Sequence, residues 1–219
     1  MRIAKYLHSC LLIEHAGEKL LFDPGRFSFV EGQVEPATFG GVDVVVLTHD
    51  HPDHIELPAL ERIVAASGAT VVGNGEVAAR LRQHGIETTV LDEGTLRVGA
   101  FALRAVPADH EPILAKTTPR NTAFLVNERL LNPGDSFRDP LLAFAGVDAL
   151  VLPVMAPFLT EVAAFGFGRR MRPGAVIPVH DGYAKEFFVR LRYEAYGAAF
   201  AEHGIRFHPL IEPGASVEI

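Results

Sequence analysis

Two kinds of apolar pattern alternate along the chain: short runs with strand character and longer stretches with helical spacing. Residues 11–14 and 19–22 flank a turn at Ala16-Gly17 and predict a β-hairpin. Residues 42–48 form a continuous, β-branched run of the kind found in strands buried on both faces. In residues 57–67, Leu57, Leu60, Ile63 and Val64 fall at helical spacing, and Gly68 supplies the stop. A strand at 70–73, a helix at 76–84 ended by Gly85, and strands at 88–91, 95–98 and 101–106 follow. The second half predicts strands at 123–127 and 129–132, a short helix near 141–145 and a strand at 149–153. It continues with a helix at 160–170, a strand at 175–179, a long helix over 184–203 stopped by Gly204, and terminal strands near 206–210 and 216–219.

The halves repeat each other. Glu18-Lys-Leu-Leu-Phe-Asp-Pro-Gly25 parallels Glu128-Arg-Leu-Leu-Asn-Pro-Gly134-Asp135, and Gly41-Val-Asp-Val-Val-Val-Leu47 parallels Gly146-Val-Asp-Ala-Leu-Val-Leu152. One such match is a common way to start a strand, but two in the same order are not expected by chance. Two similar half-sheets, each needing cover, pack face to face with helices outside. The expected fold is therefore an α/β (α+β) four-layer αββα sandwich, one domain over residues 1–219 with half-repeats of about 1–117 and 118–219.

Composition narrows the function. The 219 residues are 48% hydrophobic and 21% charged, which excludes collagen-like, low-complexity and disordered classes. A net charge of −7 disfavours nucleic acid as a partner. The run at 149–159 is about half a membrane span and contains Pro153 and Pro157, and the N-terminal apolar run ends at Glu14, too soon for a signal-peptide core. These features predict a cytoplasmic protein with no membrane partner, with homo-oligomerisation left open. One Cys permits neither an internal disulfide nor an all-cysteine zinc site. The anomaly is ten His, the commonest metal ligand and acid/base residue.

Three imidazoles and two carboxylates crowd Thr48-His49-Asp50-His51-Pro52-Asp53-His54, directly after the buried run at 42–48. Clustered polar groups beside a core strand carry a desolvation cost, so a ligand role explains them better than packing. Such a loop can turn His49 and His51 toward one metal and Asp53 and His54 toward another, with Pro52 stiffening the backbone between them. Asp23, His110, Asp135 and His180 each follow a predicted strand, the place where ligands gather in α/β sheets. Each alone reads as a turn residue or a buried imidazole, but their joint placement reads as a site.

Asp23, the string His49-x-His51-x-Asp53-His54, His110, Asp135 and His180 resemble the successive motifs of the metallo-β-lactamase fold superfamily. The opening Leu7-His8-Ser9-Cys10-Leu11-Leu12-Ile13-Glu14 and Ile177-Pro178-Val179-His180 are similar to its branch of small L-ascorbate-6-phosphate-lactonase-like hydrolases, in which Gly is common where this chain has Leu7. The resemblance implies His49, His51 and His110 on one metal, Asp53, His54 and His180 on a second, and Asp135 between them. Asp23 then accepts a hydrogen bond from a ligand His. The implied cofactor is two divalent ions, Zn2+ first, with Mn2+ or Fe2+ open. Two ions about 3.5–4 Å apart can share a water, lower its pKa toward about 7 and polarise a substrate oxygen. The function implied is a metal-dependent hydrolase with a bridging hydroxide, acting on a small lactone or ester, with Asp53, Asp135 and His180 as catalytic residues. A phosphodiesterase or nuclease of the same fold, a mononuclear iron oxygenase and a non-catalytic metal-binding module are the alternatives.

Other residues carry weaker expectations. His8 and Tyr183 are candidates to face substrate, Tyr183 as a donor to an oxyanion. Lys116, Arg120, Arg169, Arg170 and Arg172 could bind an anionic group, although a solvated helix face suits the last three better. Phe158, Phe165 and Phe167 are pocket wall or core. Cys10 reads as a small core residue. His84 and His203 suit helix C-termini, and His15 and His208 have no assigned role.

Overall fold

The apolar runs differ in length because some strands are covered on one face and others on both. In chain order the strands are β1 (Arg2–Lys5), β2 (Leu11–His15), β3 (Glu18–Phe22), β4 (Val44–Leu47), β5 (Thr70–Gly73), β6 (Thr89–Val90) and β7 (Gly94–Val98). They continue with β8 (Phe101–Pro107), β9 (Thr122–Val126), β10 (Leu130–Asn132), β11 (Ala149–Pro153), β12 (Ala175–Val179), β13 (Arg206–Phe207) and β14 (Ala215–Glu218). The helices are a single turn, α1 (Arg26–Phe29), then α2 (Leu57–Ser67), α3 (Gly75–Arg82), α4 (Glu161–Met171) and α5 (Glu186–Ala201). In the computed structural model, which describes residues 1–219, these strands form two seven-stranded sheets, ordered β14-β1-β2-β3-β4-β5-β6 and β13-β12-β11-β10-β9-β8-β7.

The sheets have the same pairing pattern. In the first, β3, β4, β5 and β6 are parallel neighbours; in the second, β10, β11, β12 and β13 are. The sequence echoes fall on β3–β4 and β10–β11, the equivalent pair in each sheet. The seam between sheets lies between Val90 and Gly94, earlier than the repeat boundary near residue 117, and β14 crosses back to pair with β1.

Alternation explains the layers. Along β4, Val44 and Val46 face the other sheet while Val45 and Leu47 face helices. The central layer joins Ile13, Leu20, Phe22 and Val46 of one sheet to Phe101, Phe124, Val151 and Ile177 of the other. Leu60 and Ile63 of α2 and Val77 and Leu81 of α3 cover the first sheet; Phe167 and Met171 of α4 and Tyr193, Tyr196 and Phe200 of α5 cover the second. The result is the expected αββα sandwich. Each fully buried apolar side chain contributes about 1.5–3 kcal/mol, so the three interfaces supply a rigid frame for the strand ends.

Several elements differ from expectation. β1 carries no local strand pattern and forms because β2 and β14 pair with it from both sides. The segment expected near 141–145 is a 3-10 helix at Asp139–Phe144. β13 stops at Phe207, two residues before Pro209, which has no N–H for a ladder. No helix is long and apolar enough to cross a membrane.

Candidate metal centre

The carboxyl ends of β1, β3, β4, β8, β10 and β12 converge and deliver His8, Asp23, the His49–His54 loop, His110, Asp135 and His180. Two ligand groups result. In one, ligand atoms of His49, His51, His110 and Asp135 lie within 4.8 Å of one another; in the other, those of His8, Asp53, His54 and His180 do. Asp135 links the groups. Its Oδ2 is 3.0 Å from His180 Nε2, 3.4 Å from His110 Nε2 and 3.8 Å from His49 Nε2, while its Oδ1 is 3.6 Å from His54 Nε2. Asp53 Oδ2 is 3.4 Å from His180 Nε2.

Hydrogen bonds behind the imidazoles decide which nitrogen faces inward. His54 donates Nδ1–H to Asp23 (3.0 Å), His110 to the Glu111 carbonyl (2.6 Å) and His180 to the Met155 carbonyl (2.7 Å). Each bond leaves the Nε2 lone pair directed into the cluster. Asp23 also accepts the Thr48 N–H and hydroxyl, both at 2.8 Å, so the Thr48 oxygen is left to accept from His49 Nδ1 at 3.0 Å. His51 is turned the other way, its Nδ1 3.1 Å from His49 Nε2. His54 Nε2, His110 Nε2 and Asp135 Oδ1 are buried with no hydrogen-bond partner. Buried orphans of this kind are costly, and a cation satisfies all three. The nitrogen and oxygen donors therefore fit divalent metal.

Charge follows the same geometry. Burial, helped by neighbouring imidazoles, pulls His49 well below its ordinary pKa and His51 below it. For His54 burial is outweighed by Asp135 and Asp23, and the pKa rises well above the usual value. Asp135 is buried too, yet His180 and His54 hold its carboxyl well below the carboxylate range. Burial and the nearby His180 lower His8 to about 4, so it is a neutral imidazole at neutral pH.

The backbone around the site is unusual in ways that serve it. Leu7, His8, Asp23 and His180 have φ of 67°, 50°, 42° and 70°, a left-handed conformation that surrounding structure must enforce. Gly25 lets the Asp23 loop lie against the ligand loop, since a Cβ there would sit 1.7 Å from the Asp53 carbonyl oxygen. Asn121 donates to the Ala108 and Pro133 carbonyls and accepts the Asp135 N–H, stapling the His110 and Asp135 loops together. Below His180, the fully buried Lys5 ammonium meets Asp181 at 2.5 Å and the Tyr193 hydroxyl at 2.7 Å. The sequence reading missed Thr48, Asn121, Lys5 and Asp181 as supports; the polar Asp181-Gly182 step right after an apolar strand was the available signal.

Other expected residues sit elsewhere or are otherwise engaged. The Tyr183 hydroxyl donates to the Met155 carbonyl at 2.5 Å, the same oxygen that takes His180 Nδ1–H, so Tyr183 braces His180 rather than offering a free oyxanion donor. Arg120 pairs with Asp92 at 2.9 Å and does not reach the cluster. Arg169, Arg170 and Arg172 line a cavity with His203 at the far ends of α4 and α5, and Arg170 pairs with Asp139. Lys116 lies exposed in the loop after His110. Phe158 borders the site, its ring 5.4 Å from His110 and 5.6 Å from His180, whereas Phe165 packs on Phe200 and Phe167 stacks on Phe137 in the core. Cys10 is fully buried in the α2–α3 side of the first sheet. A cavity of 710 Å³ between α2, α3 and β6 lies at the opposite strand ends and contains no His.

Comparison with known proteins adds to this geometry. The family model described as "Beta-lactamase superfamily domain" matches residues 2–180. A UPF0173 metal-dependent hydrolase of Opitutus terrae is 30% identical over 236 aligned positions, covering 100% of both chains. Protein Rv0786c of Mycobacterium tuberculosis is 31% identical, covering 83% of this chain and 84% of its own length. The fold is shared with Igni18, a metallo hydrolase of Ignicoccus hospitalis, at a TM-score of 0.74 and 20% identity, covering 100% of this chain and 98% of that one.

Proposed function

Since the chain belongs to the beta-lactamase superfamily and is a metal-dependent hydrolase of the metallo-β-lactamase fold, we propose that it works through a dinuclear centre on a small, uncharged lactone or ester. One observation carries the reading: two groups of ligand atoms meet at a single buried carboxylate, Asp135. His49, His51 and His110 would hold one ion and Asp53, His54 and His180 the other, with Asp135 between; zinc suits these donors best. Divalent ions at these positions supply an activated water and polarise the substrate's carbonyl oxygen. Asp23, Thr48 and the Glu111 and Met155 carbonyls hold the imidazoles in one tautomer, so no reorientation is needed during turnover. Asp53, the more accessible carboxylate at 23% exposure, can take a proton at Oδ1 and return it to the leaving oxygen. Asp135, at 2% exposure, is the fixed element about which both groups are arranged.

The surroundings favour an uncharged substrate. The arginines on the site's own segments are already paired: Arg26 with Glu56, Arg80 with Asp50, Arg120 with Asp92 and Arg138 with Glu111. A phosphodiester would gain none of these guanidinium groups as a free bidentate partner. Phe158 and Tyr183 instead give the rim apolar surface, and a mostly apolar cavity of 480 Å³ adjoins Met155 and Tyr183. Elemental analysis combined with hydrolysis of lactone, thioester and phosphodiester panels tests the reading. Two zinc ions per chain and chelator-sensitive lactone or ester hydrolysis are expected. One iron per chain with oxygen consumption, or turnover confined to phosphodiesters, would overturn it.

A further inference from the structure

Of the six imidazoles at the site, His8 differs in its hydrogen bonding. His54, His110 and His180 spend Nδ1–H on an acceptor behind them and turn Nε2 inward. His8 does the reverse: its Nδ1 accepts the Gly182 N–H at 3.0 Å. A neutral imidazole carries one hydrogen, so with the Nδ1 lone pair occupied that hydrogen is on Nε2. His8 Nε2 lies 3.2 Å from Asp53 Oδ2 and within 4.8 Å of the ligand atoms of His54 and His180. Proximity alone would make it a fourth ligand; its tautomer forbids that.

We propose that His8 is a positioning residue that donates Nε2–H to Asp53 Oδ2 and aims that carboxylate at the second ion without ligating it. The proposal rests on the dinuclear reading above. The fold is built to hold this tautomer. His180 N–H donates to the His8 carbonyl at 3.3 Å, so His8 accepts two main-chain hydrogen bonds from the 180–182 segment. Gly182 must be glycine: a Cβ there would lie 2.7 Å from Phe27 Cβ and 2.9 Å from His8 Cβ, pushing its N–H off Nδ1. Asp181, between His180 and Gly182, is anchored by Lys5 and Tyr193, which fixes where the Gly182 N–H points. Leu7 and His8 both take the left-handed backbone needed to bring the ring back over the site.

The test uses zinc-loaded protein, imidazole 15N spectra, and chelator competition on wild type, His8→Leu and His8→Gln. In wild type we expect two zinc ions and a His8 ring protonated at Nε2 with a bare Nδ1, the opposite tautomer to His54, His110 and His180. His8→Leu should leave the first ion's affinity unchanged and weaken the second about 10–100-fold, the usual cost of losing a hydrogen-bond partner of a metal ligand. His8→Gln, whose side-chain amide can donate from a similar position, should recover most of that loss. A His8 Nε2 without hydrogen in the wild-type spectrum, which needs no variant to fold, overturns the proposal, as does unchanged affinity for the second ion in His8→Leu. Fewer than two zinc ions in wild type removes the dinuclear reading and the proposal together, so the two failures are distinguishable.

Discussion

The two halves use the same parallel strand unit for opposite purposes. After β4, the first half places four candidate ligands, His49, His51, Asp53 and His54, in one short loop. After β11, the equivalent strand of the second half, the chain runs Val154-Met155-Ala156-Pro157-Phe158 and supplies an apolar rim and one backbone carbonyl. The second half delivers its candidate ligands singly, Asp135 after β10 and His180 after β12. Support differs accordingly. The dense loop is held by Asp23 through three hydrogen bonds, whereas the isolated ligands are held by remote partners, Asn121 for the Asp135 loop and the Met155 carbonyl for His180. A duplicated scaffold can thus concentrate its ligands on one side and shape a pocket with the other.

If the second half is essential and not merely a wall, Asp135→Ala should have the largest effect. It removes the one carboxylate that touches imidazoles of both groups. Lewis-acid stabilisation is worth several kcal/mol, so hydrolysis should fall on the order of 10³-fold, with fewer ions bound by elemental analysis. Retention of two ions and of full activity would mean that the loop from the first half suffices.

The next effect is on stability. Lys5 and Asp181 are 1% and 5% exposed and join β1 of the first sheet to the loop after β12 of the second. Lys5→Met leaves Asp181 buried without its counter-charge and with only the Tyr193 hydroxyl as partner, a change that costs about 3–5 kcal/mol when one member of a buried pair is removed. Denaturant unfolding of the variant measures it. A loss under about 1 kcal/mol, the range of an exposed pair, would show that this ion pair is not what joins the halves.

Asp23→Asn probes the dense loop from behind. The amide cannot accept from Thr48 N–H, Thr48 hydroxyl and His54 Nδ1–H at once as the carboxylate does. Metal affinity should drop about 10–100-fold by competition titration, while the β-sheet signal in circular dichroism stays unchanged. An equal drop in a variant of Asn121 would erase the contrast between local and remote support.

What the sequence made legible follows the same division. The His49–His54 string, the repeat on β3–β4 and β10–β11, and the residues at strand ends are local signals, since each is a residue type at a fixed offset from an apolar run. β1 was not legible because its four residues carry no strand pattern of their own and are held by pairing on both edges, with β2 on one side and on the other with β14, more than two hundred positions away in Arg2↔Glu218. Lys5 was hidden for the same reason: its partners Asp181 and Tyr193 are distant in sequence. Tyr183 illustrates a limit of motif spacing, which located it three residues from His180 without revealing that its hydroxyl is spent on Met155.

Arg120 gives the smallest predicted effect and the sharpest check on substrate charge. Next to Asn121, which staples the metal-site loops, it was a reasonable candidate to grip an anionic group. Its guanidinium instead pairs with Asp92, with both side chains well exposed at 60% and 42%. Its main chain is what binds the frame, the N–H donating to Glu76 and the carbonyl accepting from Asn74. Arg120→Ala keeps both main-chain bonds and loses one exposed pair, worth about 0.2–1 kcal/mol. Stability should therefore fall by no more than that, and KM for an uncharged ester should not change. A rise in KM confined to anionic substrates would instead mean that Arg120 leaves Asp92 to meet the substrate, and the pairing of arginines around the site would no longer argue for an uncharged one.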